Sequence, residues 1–176
     1  MMLAENDTIA LIQYTHHDDH DMYLCWQDIG TQKGYNCLFD TDYDDYRQFD
    51  IADFPFWATI IDKTSGARVG TIRLSPDAID PDLAIWIYPK HRNKGYGKQA
   101  FALAVRYIFE HFEHEEITAG CYPDNAASLQ LLKEVGFQRH PDSDAEEINC
   151  FTREPTVQLG FRLSRGAAIV HSVRQT

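Results

Sequence analysis

Long apolar runs, paired cysteines and an excess of basic residues are all missing from this chain. No hydrophobic segment approaches the ~20 residues that a membrane-spanning helix requires, so we expect no membrane partner. The first residues, MMLAENDTIALIQ, lack the basic start and the small-residue cleavage site of a signal peptide. The four cysteines form no CxxC pair, and a chain of 176 residues can build a core without disulfides. These features predict a cytoplasmic protein with reduced thiols.

Repeats, low-complexity segments and Gly/Ser- or Pro-rich linkers are missing as well. The composition, 44% hydrophobic and 24% charged, is ordinary for a folded globular protein and disfavours disorder. Because 176 residues fall within the usual size of one domain, we predict a single domain over residues 1–176.

Basic residues are scarce, and the charge is unevenly distributed. The formal net charge of -11 argues against nucleic acid as a partner, because such binding depends on neutralising phosphates. Residues 1–66 carry 13 acidic and 3 basic residues together with half of the aromatic residues. Four basic residues without an acidic one among them lie close together, at Lys90, Arg92, Lys94 and Lys98. Such a local basic cluster in an acidic protein suits a small anionic ligand.

The hydrophobic pattern predicts a mixed α/β domain in the order β-α-α-β-β-β-α-β-α-β-β. Alternating or continuous apolar residues predict strands at 8–14, 55–63, 67–74, 82–88, 116–122, 136–139 and 156–163. Apolar residues at helical spacing and capping residues predict helices at 17–28, 41–52, 97–112 and 125–135.

The most informative segment is WIYPKHRNKGYGK at 86–98. A buried strand ends at Pro89, a short basic loop follows, and Gly95 and Gly97 open a long amphipathic helix. Glycines at this place allow a tight turn and a close backbone approach by a ligand. The first-turn N–H groups of a helix are unpaired and carry the positive end of its dipole, which suits phosphate. The alternative is that the glycines only turn the chain and the lysines are solvated.

Three phosphate-binding patterns compete for this loop. A P-loop requires GxxxxGK[ST], which the sequence does not contain. The segment GYGKQA at 95–100 fits the loose dinucleotide pattern GxGxxG/A, which predicts NAD binding and an oxidoreductase. That pattern follows a strand directly, however, whereas Pro89 and charged residues intervene here. The third pattern, RxxGxG/A, is matched by RNKGYG at 92–97.

With this loop the sequence resembles the GNAT superfamily of acetyl-CoA-dependent N-acetyltransferases. A second segment, NAASLQLLKEVGF at 125–137, is similar to the family's later motif, N-x-x-S/A followed by a helix and a Gly-Phe ending. Both segments stand in the family's order, within 82–137. Ser128 and the absence of the motif tyrosine look most like the ribosomal-protein N-terminal (RimJ/RimL-type) branch. The resemblance implies a GNAT fold: a central, mostly antiparallel sheet flanked by helices.

The resemblance also implies acetyl-CoA as the cosubstrate, with no metal. In the family the strand before the glycine loop splays from its neighbour and pairs through its backbone with the pantetheine arm, while the loop holds the pyrophosphate. Asn125 would bond the pantetheine or cap the next helix, and Ser128 would lie near the thiol or only let that helix approach the sheet. The implied cofactor contacts are Trp86, Ile87, Tyr88, Arg92, Asn93, Lys94, Gly95, Tyr96, Gly97, Lys98, Asn125 and Ser128.

The implied reaction is direct attack of a neutral primary amine on the thioester carbonyl. The amine must lose a proton, the oxyanion needs a donor, and the departing thiolate must be protonated. Many family members use a tyrosine four residues before the Gly-Phe glycine as the acid, where this chain has Leu132. We expect Ser128 to take that role, with Tyr122 or a water as alternatives. For the base the resemblance points to Asp82 and then Asp80. The alternatives are that Asp82 is only a solvated acid in the turn SPDAIDPD, or that desolvation alone deprotonates the amine.

The segment between the first two predicted strands, about residues 15–52, shapes the acceptor pocket in the superfamily. Here it is rich in aromatic residues and in aspartates, namely Asp18, Asp19, Asp21, Asp28, Asp40, Asp42, Asp44, Asp45 and Asp50. Carboxylates attract cations and ring faces bind ammonium groups, which predicts a cationic acceptor: a protein N-terminus, a polyamine or an aminoglycoside. The alternative is a solvated acidic surface.

Two further possibilities remain open in the sequence. His16 and His20 could share one helix face as metal ligands, but no second ligand cluster accompanies them. Leu132 at the usual acid position raises the alternative of an acyl-CoA-binding sensor of the same fold, without turnover. We expect a monomer or a homodimer.

Overall fold

The computed structural model describes residues 1–77 and 79–168. Over these residues the strands are β1 (Met2–Glu5), β2 (Ile9–Gln13), β3 (Phe56–Asp62), β4 (Arg68–Leu74), β5 (Leu83–Ile87), β6 (Glu116–Cys121), β7 (Gln138–Arg139), β8 (Ala145–Ile148) and β9 (Pro155–Ser164). The α-helices are α1 (Asp19–Gln27), α2 (Ile29–Gly34), α3 (Tyr43–Tyr46), α4 (Tyr96–His111) and α5 (Ala126–Val135). Short 3₁₀ turns lie at Ile51–Asp53, Pro89–His91 and Pro141–Ser143.

The first five strands form one antiparallel sheet in sequence order. The two faces of this sheet are covered differently, because successive side chains of a strand point to opposite faces. On β4, Ile72 and Leu74 join the core beneath α4. Thr71 points to the opposite face, where its hydroxyl accepts a hydrogen bond of 2.7 Å from the indole of Trp57. This second face packs under α1 and the aromatic residues that follow it.

The remaining strands form a second sheet in the order β6-β9-β7, and β8 also pairs with β9. The two sheets meet at a single parallel bridge between Asp82 and Thr118. There the Thr118 N–H donates to the Pro81 carbonyl over 3.0 Å. Beyond this bridge β5 and β6 have no ladder, so a cleft opens between them.

Helix α4 lies across the first sheet and holds the glycine loop at its N-terminus. Its buried residues are Ala100, Phe101, Leu103, Ala104, Val105, Ile108 and Phe109. Burying one large apolar side chain stabilises the fold by roughly 1.5 to 3 kcal/mol, so packing rather than helix propensity fixes the position of α4. The glycine loop is therefore attached to a rigid element.

The predicted fold class, a central, mostly antiparallel sheet flanked by helices, is confirmed. The single helix predicted at 41–52 is wrong: α3 ends at Tyr46, and a 3₁₀ turn follows only at Ile51. The side chain of Asp42 accepts a hydrogen bond from the Asp45 N–H, and that of Asp50 from the Ala52 N–H. Each aspartate therefore begins a separate short turn. The predicted single domain includes residues 169–176, which lie outside the described residues, and it stays a prediction.

Candidate active site

The cleft between β5 and β6 presents backbone groups that the sheets leave unpaired. The Tyr88 N–H donates to the Val69 carbonyl of β4. Since the backbone groups of alternate residues in a strand point to the same side, the N–H and C=O groups of Trp86 also point toward β4. Ile85 and Ile87 therefore turn their N–H and C=O groups into the cleft. From the other side, Gly120 turns its N–H toward Asp82. The cleft thus offers backbone N–H donors to an extended ligand, while the Ile85 and Ile87 carbonyls accept hydrogen bonds from Tyr35 and Arg92.

A cavity of about 570 Å³ occupies this cleft. It is lined by the glycine loop and the first turn of α4, by β5 and β6, by α5 and by part of α2. Predicted site residues on its wall are Asp82, Trp86, Ile87, Arg92, Asn93, Lys94, Gly95, Tyr96, Gly97, Lys98, Tyr122, Asn125 and Ser128. The structure brings residues of both sequence segments to one cavity.

The glycine loop, residues 92–98, has the backbone of an anion site. Asn93 and Gly95 have positive φ angles of 60° and 80°. The left-handed Gly95 is the N-cap of α4, and no side chain caps this helix. Since the first-turn N–H groups have no intrahelical acceptor, they remain available to a ligand at the positive end of the helix dipole. This geometry fits a phosphate of acetyl-CoA.

Gly97 lies where α4, α5 and β5 come close together. A Cβ atom built at this position would lie 3.0 Å from Leu131 Cδ1 and 3.7 Å from Ile87 Cγ1. The absence of a side chain therefore lets the first turn of α4 approach the cleft.

The Arg92 side chain is not free for a phosphate. Its Nη1 lies 2.8 Å from Asp28 Oδ2, its Nη2 donates to Thr31 Oγ1 over 2.6 Å, and its Nε donates to the Ile87 carbonyl over 3.2 Å. Arg92 thus ties the loop to β5 and to the N-terminus of α2. These three contacts restrict the position of the loop.

The other basic residues of the loop divide into two kinds. Lys98 lies 3.2 Å from Glu134 of α5, so its charge is partly neutralised. Lys90 and Lys94 are exposed and have no ion pair among the described residues. These two lysines therefore supply most of the uncompensated positive charge beside the loop.

Tyr88 lies apart from the other predicted cofactor contacts. Its side chain is buried among aromatic residues on the second face of the sheet, and Tyr88 does not line the cavity. Ile85, which was not predicted as a contact, lines the cavity. Its carbonyl accepts a hydrogen bond of 2.5 Å from the Tyr35 hydroxyl. Tyr35 also stacks on Trp86 with ring centroids 4.9 Å apart.

Asn125 caps α5, with its side-chain oxygen accepting the Ser128 N–H over 3.2 Å. It also lies on the cavity wall, so the cap and a ligand role can coexist. The Ser128 hydroxyl lines the cavity without a hydrogen-bond partner in the described part of the chain. Leu132, at the usual acid position, is buried and has no proton to give.

Two other proton-bearing side chains of the wall are less available. The Tyr122 hydroxyl donates to Glu147 over 2.7 Å, and burial together with this carboxylate raises the pKa of Tyr122 far above its usual value. Burial raises the pKa of Cys121 to about 11, so this thiol stays protonated at neutral pH and is a poor nucleophile.

Asp82 stands at the narrow end of the cleft, beside the bridge that joins the two sheets. Burial and the neighbouring carboxylate of Asp80 raise the pKa of Asp82 to about 6, against smaller lowering effects of Arg73 and the Gly120 N–H. A carboxylate with this pKa is ionised at neutral pH and can still accept a proton readily.

The aspartates predicted to shape the acceptor pocket do not line the cavity. Asp18 is buried against Arg68 at 2.7 Å, and Asp28 pairs with Arg92. Asp19 is buried and bonded to Tyr14 and His16. Most of the others are exposed or cap short turns. These aspartates therefore contribute to the local structure and to the surface charge, and not to the wall of this cavity.

His16 and His20 have separate environments. His16 Nδ1 lies 2.8 Å from Asp19 Oδ2, while the His20 ring meets Tyr43 edge to face. Across the described ranges, no group of three or more His, Cys, Asp or Glu side chains could hold a metal ion. None of the described helices has the length and apolar character needed to cross a membrane.

Sequence reasoning missed the contribution of α2 and of His91. Gly30, Thr31 and Gly34 of α2 line the cavity, but the segment IGTQKG has too few apolar residues to indicate a helix. His91 also lines it, with a buried Nε2 that has no hydrogen-bond partner among the residues described. The sequence did contain one indication that His91 contacts a ligand, namely its position between Lys90 and Arg92 in the basic segment.

Comparison with known families gives one match over most of the chain. The model of the acetyltransferase (GNAT) domain matches residues 3–138. Among curated proteins, this chain is similar to the uncharacterized N-acetyltransferase YnaD of Bacillus subtilis (strain 168), at 33% identity over 55 residues. That match spans 31% of this chain and 32%, about a third, of the length of YnaD.

Several solved structures share the fold at low identity. One is the spermidine N-acetyltransferase from Vibrio cholerae in complex with CoA and spermine, with a TM-score of 0.79 and 16% identity over 93% of this chain and 99% of that one. Another is an acetyltransferase (GNAT family) from Bacillus anthracis, with a TM-score of 0.75 and 18% identity over 93% of this chain and 98% of that one.

Proposed function

The chain belongs to the acetyltransferase (GNAT) domain family, and we propose that it transfers an acetyl group directly from acetyl-CoA to a primary amine. The observation that carries this proposal is the cleft itself. The backbone N–H groups of β5 that lie outside the ladder, the uncapped N-terminus of α4 and the carboxylate of Asp82 all lie on one cavity.

Acetyl-CoA would be held mainly by backbone groups. The N–H groups of the glycine loop suit the pyrophosphate, and Lys90 and Lys94 add positive charge beside it. The N–H groups of Ile85 and Ile87 suit the extended arm, whereas their carbonyl oxygens each already accept a hydrogen bond, from Tyr35 and Arg92. Asn125 also lies on the cavity wall. Acetyl-CoA supplies the activated thioester carbonyl.

Side chains of the cavity wall would accept the proton of the amine and donate to the departing sulfur. Asp82 would accept the proton that the ammonium group must lose, directly or through a water, before the amine attacks the carbonyl. The Ser128 hydroxyl, which is not engaged elsewhere in the described residues, would donate a hydrogen bond to the departing sulfur. The proton that the attacking nitrogen loses as the acetamide forms would pass to this thiolate and give free CoA. Tyr122 is the second candidate for that donor, but its hydroxyl already serves Glu147.

The acceptor amine would be cationic before it loses its proton. Asp82 and the rings of Tyr35 and Trp86 support such an acceptor, because all three line the cavity. The V. cholerae neighbour that binds spermine makes polyamines worth testing beside aminoglycosides and protein N-termini. The RimJ/RimL-type branch, supported by Ser128 and by Leu132 in place of the motif tyrosine, favours protein N-termini. The cytoplasmic location and the monomeric or dimeric state stay predictions.

The second candidate is a sensor that binds acyl-CoA without turnover, and Leu132 at the usual acid position favours it. Titration calorimetry with acetyl-CoA, CoA and NAD, followed by thiol release on an amine panel, separates these functions. Binding of both CoA species with turnover of at least one amine supports the transferase. Binding without any turnover supports the sensor, and failure to bind CoA at millimolar concentration overturns both.

A further inference from the structure

One arginine, Arg73 of β4, lies on the second face of the first sheet and has no carboxylate within ion-pair distance among the described residues, although the charge of Asp82 is near enough to act on it. Arg73 pairs with Ala84 across the β4–β5 ladder, so its side chain leaves the sheet on the same face as that of Trp86. Asp82 precedes Ala84 by two residues and shares this face. Diagonal neighbours of this kind have Cβ atoms roughly 7 Å apart, which places Arg73 next to Asp82, just behind the cavity wall that Asp82 and Trp86 form.

Three aromatic rings confine the guanidinium group of Arg73. Its central carbon lies 4.3 Å from the ring centroid of Phe54, 5.0 Å from that of Trp57 and 5.3 Å from that of Trp86. Contacts of this kind attract a cation and restrict its rotamers. The group is therefore held in place, although no ion pair fixes it.

The Arg73 side chain has neither a hydrogen bond nor an ion pair within 4 Å to any residue that the structure describes. By contrast, Arg68, Arg92, Arg139 and Arg162 each contact a carboxylate. Placing a guanidinium in a half-buried site without a partner is costly, and the ring contacts offset only part of that cost. A half-buried fork of N–H donors without acceptors is suited to a ligand that brings an anion.

We propose that Arg73 binds a carboxylate of the acceptor, so that the acceptor is a small amino acid or a similar amine with a carboxylate a few bonds from its nitrogen. This inference rests on the proposed acetyl transfer and names its substrate class. The amine would face Asp82 while the carboxylate faces Arg73. A polyamine has no group for Arg73 and would bring further positive charge toward it.

The test compares amines that differ only in the carboxylate. Glycine, β-alanine, 4-aminobutyrate and lysine are each assayed beside the corresponding carboxamide, with saturating acetyl-CoA and thiol release as the readout. We expect kcat/KM to be at least about tenfold higher for the acid in the best pair, since a charged hydrogen-bonded pair is worth about 1.4 kcal/mol or more. Equal values in every pair, or a preference for the carboxamides, would overturn the proposal.

Two variants and one control connect the preference to Arg73. Arg73→Met keeps the length of the side chain and should reduce the acid-to-amide ratio toward one. Arg73→Lys keeps the charge but not the fork, and should retain an intermediate ratio. Arg106→Met, which removes an exposed arginine of α4 outside the cavity, should keep the wild-type ratio. An unchanged ratio in Arg73→Met overturns the assignment, and the wild-type pairs remain decisive if that variant does not fold.

A binding experiment separates this inference from the proposed function. The preferred acid and its amide are titrated into the wild-type protein already saturated with CoA, where no transfer can occur. Tighter binding of the acid, lost in Arg73→Met, supports the carboxylate site even if no amine is acetylated. If amines are acetylated but neither the assay nor the titration shows a preference for the acid over its carboxamide, the carboxylate site is excluded and the transferase proposal is still supported.

Discussion

Arg92 and Asp28 form an ion pair, with Nη1 2.8 Å from Oδ2, that joins the glycine loop to the first turn of α2. Asp28 also caps α2 by accepting the Thr31 N–H over 2.8 Å. Because two different elements of the cavity wall depend on this pair, its loss should affect the binding of acetyl-CoA although neither side chain need touch the phosphates.

We predict that Arg92→Met weakens acetyl-CoA binding about tenfold and that Asp28→Asn, which preserves the cap, weakens it about threefold. The double variant should bind little worse than Arg92→Met alone, with a coupling of about 1 kcal/mol, since both changes break the same contact. Titration calorimetry gives the three affinities. Arg162→Met, which breaks a comparable surface pair with Glu116 on the second sheet, serves as the control. Strictly additive effects would show that the two residues act separately.

Gly97→Glu should abolish measurable binding of CoA. The new carboxylate would stand beside the unpaired N–H groups that the pyrophosphate needs, and its Cβ would press on Leu131 at 3.0 Å. Gly97→Gln adds nearly the same volume without the charge, and should retain more affinity than Gly97→Glu. Gly166→Glu, where a Cβ meets no atom within 4 Å, controls for a change of net charge. Unchanged affinity in Gly97→Glu would mean that the phosphate site lies elsewhere.

The pH dependence of kcat/KM should contain the ionisation of Asp82. Because the base must be deprotonated, we expect the rate to fall as the pH drops below about 6, the raised pKa of Asp82. Asp82→Asn should remove this acid limb and lower kcat/KM by about 10² or more. Asp80→Asn takes away a charge that raises the pKa of Asp82, so it should move the limb to lower pH. A profile that is identical in wild type and Asp82→Asn would exclude Asp82 as the base.

Asp82 should also make the fold less stable at neutral pH. Its folded pKa of about 6 exceeds its ordinary value of 3.8, so between these pH values the folded state binds more protons than the unfolded state. Stability is therefore expected to fall as the pH rises through this range. Asp82→Asn should raise the free energy of unfolding at pH 7 by on the order of 1 to 3 kcal/mol. Urea unfolding at pH 4 and pH 7 measures it, and a gain that is no larger at pH 7 than at pH 4 would contradict the prediction.

Ser128→Ala should lower kcat by roughly 10-fold to 100-fold while the KM for acetyl-CoA changes little, because the lost hydrogen bond serves the departing sulfur. The Asn125 cap is kept, since it uses the backbone N–H of residue 128. Tyr122→Phe is the matched test of the other hydroxyl and should have the smaller effect on kcat. The reverse order of the two effects would assign the donor to Tyr122.

Much of the fold could be predicted from apolar periodicity alone. The hairpin β3–β4 and the helices α4 and α5 have clear strand or helix patterns, and their positions agree with the prediction within a few residues. The elements that were missed, β1, α2 and β8, have only four to six residues, too few to show a strand or helix period. Their conformations are set by tertiary contacts, such as the hydrogen bond between the α2 residue Thr31 and Arg92.

The candidate site was predictable where backbone chemistry follows from local sequence. Gly95, Gly97 and Asn125 stand where their turn and cap chemistry places them. The roles of Arg92 and Arg73 were not predictable, because they depend on partners from other elements: Asp28 and Thr31 for Arg92, and three rings for Arg73. The same holds for the acidic segment, because the sequence does not show which aspartates point into the cavity and which are buried in other contacts.

The separation of β5 from β6 has a consequence for solubility as well as for binding. An unpaired strand edge on the outside of a protein is a template for aggregation. Here the two unpaired edges face each other inside a cleft. Its other walls are α2, α5 and the glycine loop, which block the approach of a strand from another molecule. The free backbone N–H groups are therefore accessible to an extended small molecule but not to a strand from another copy of the protein.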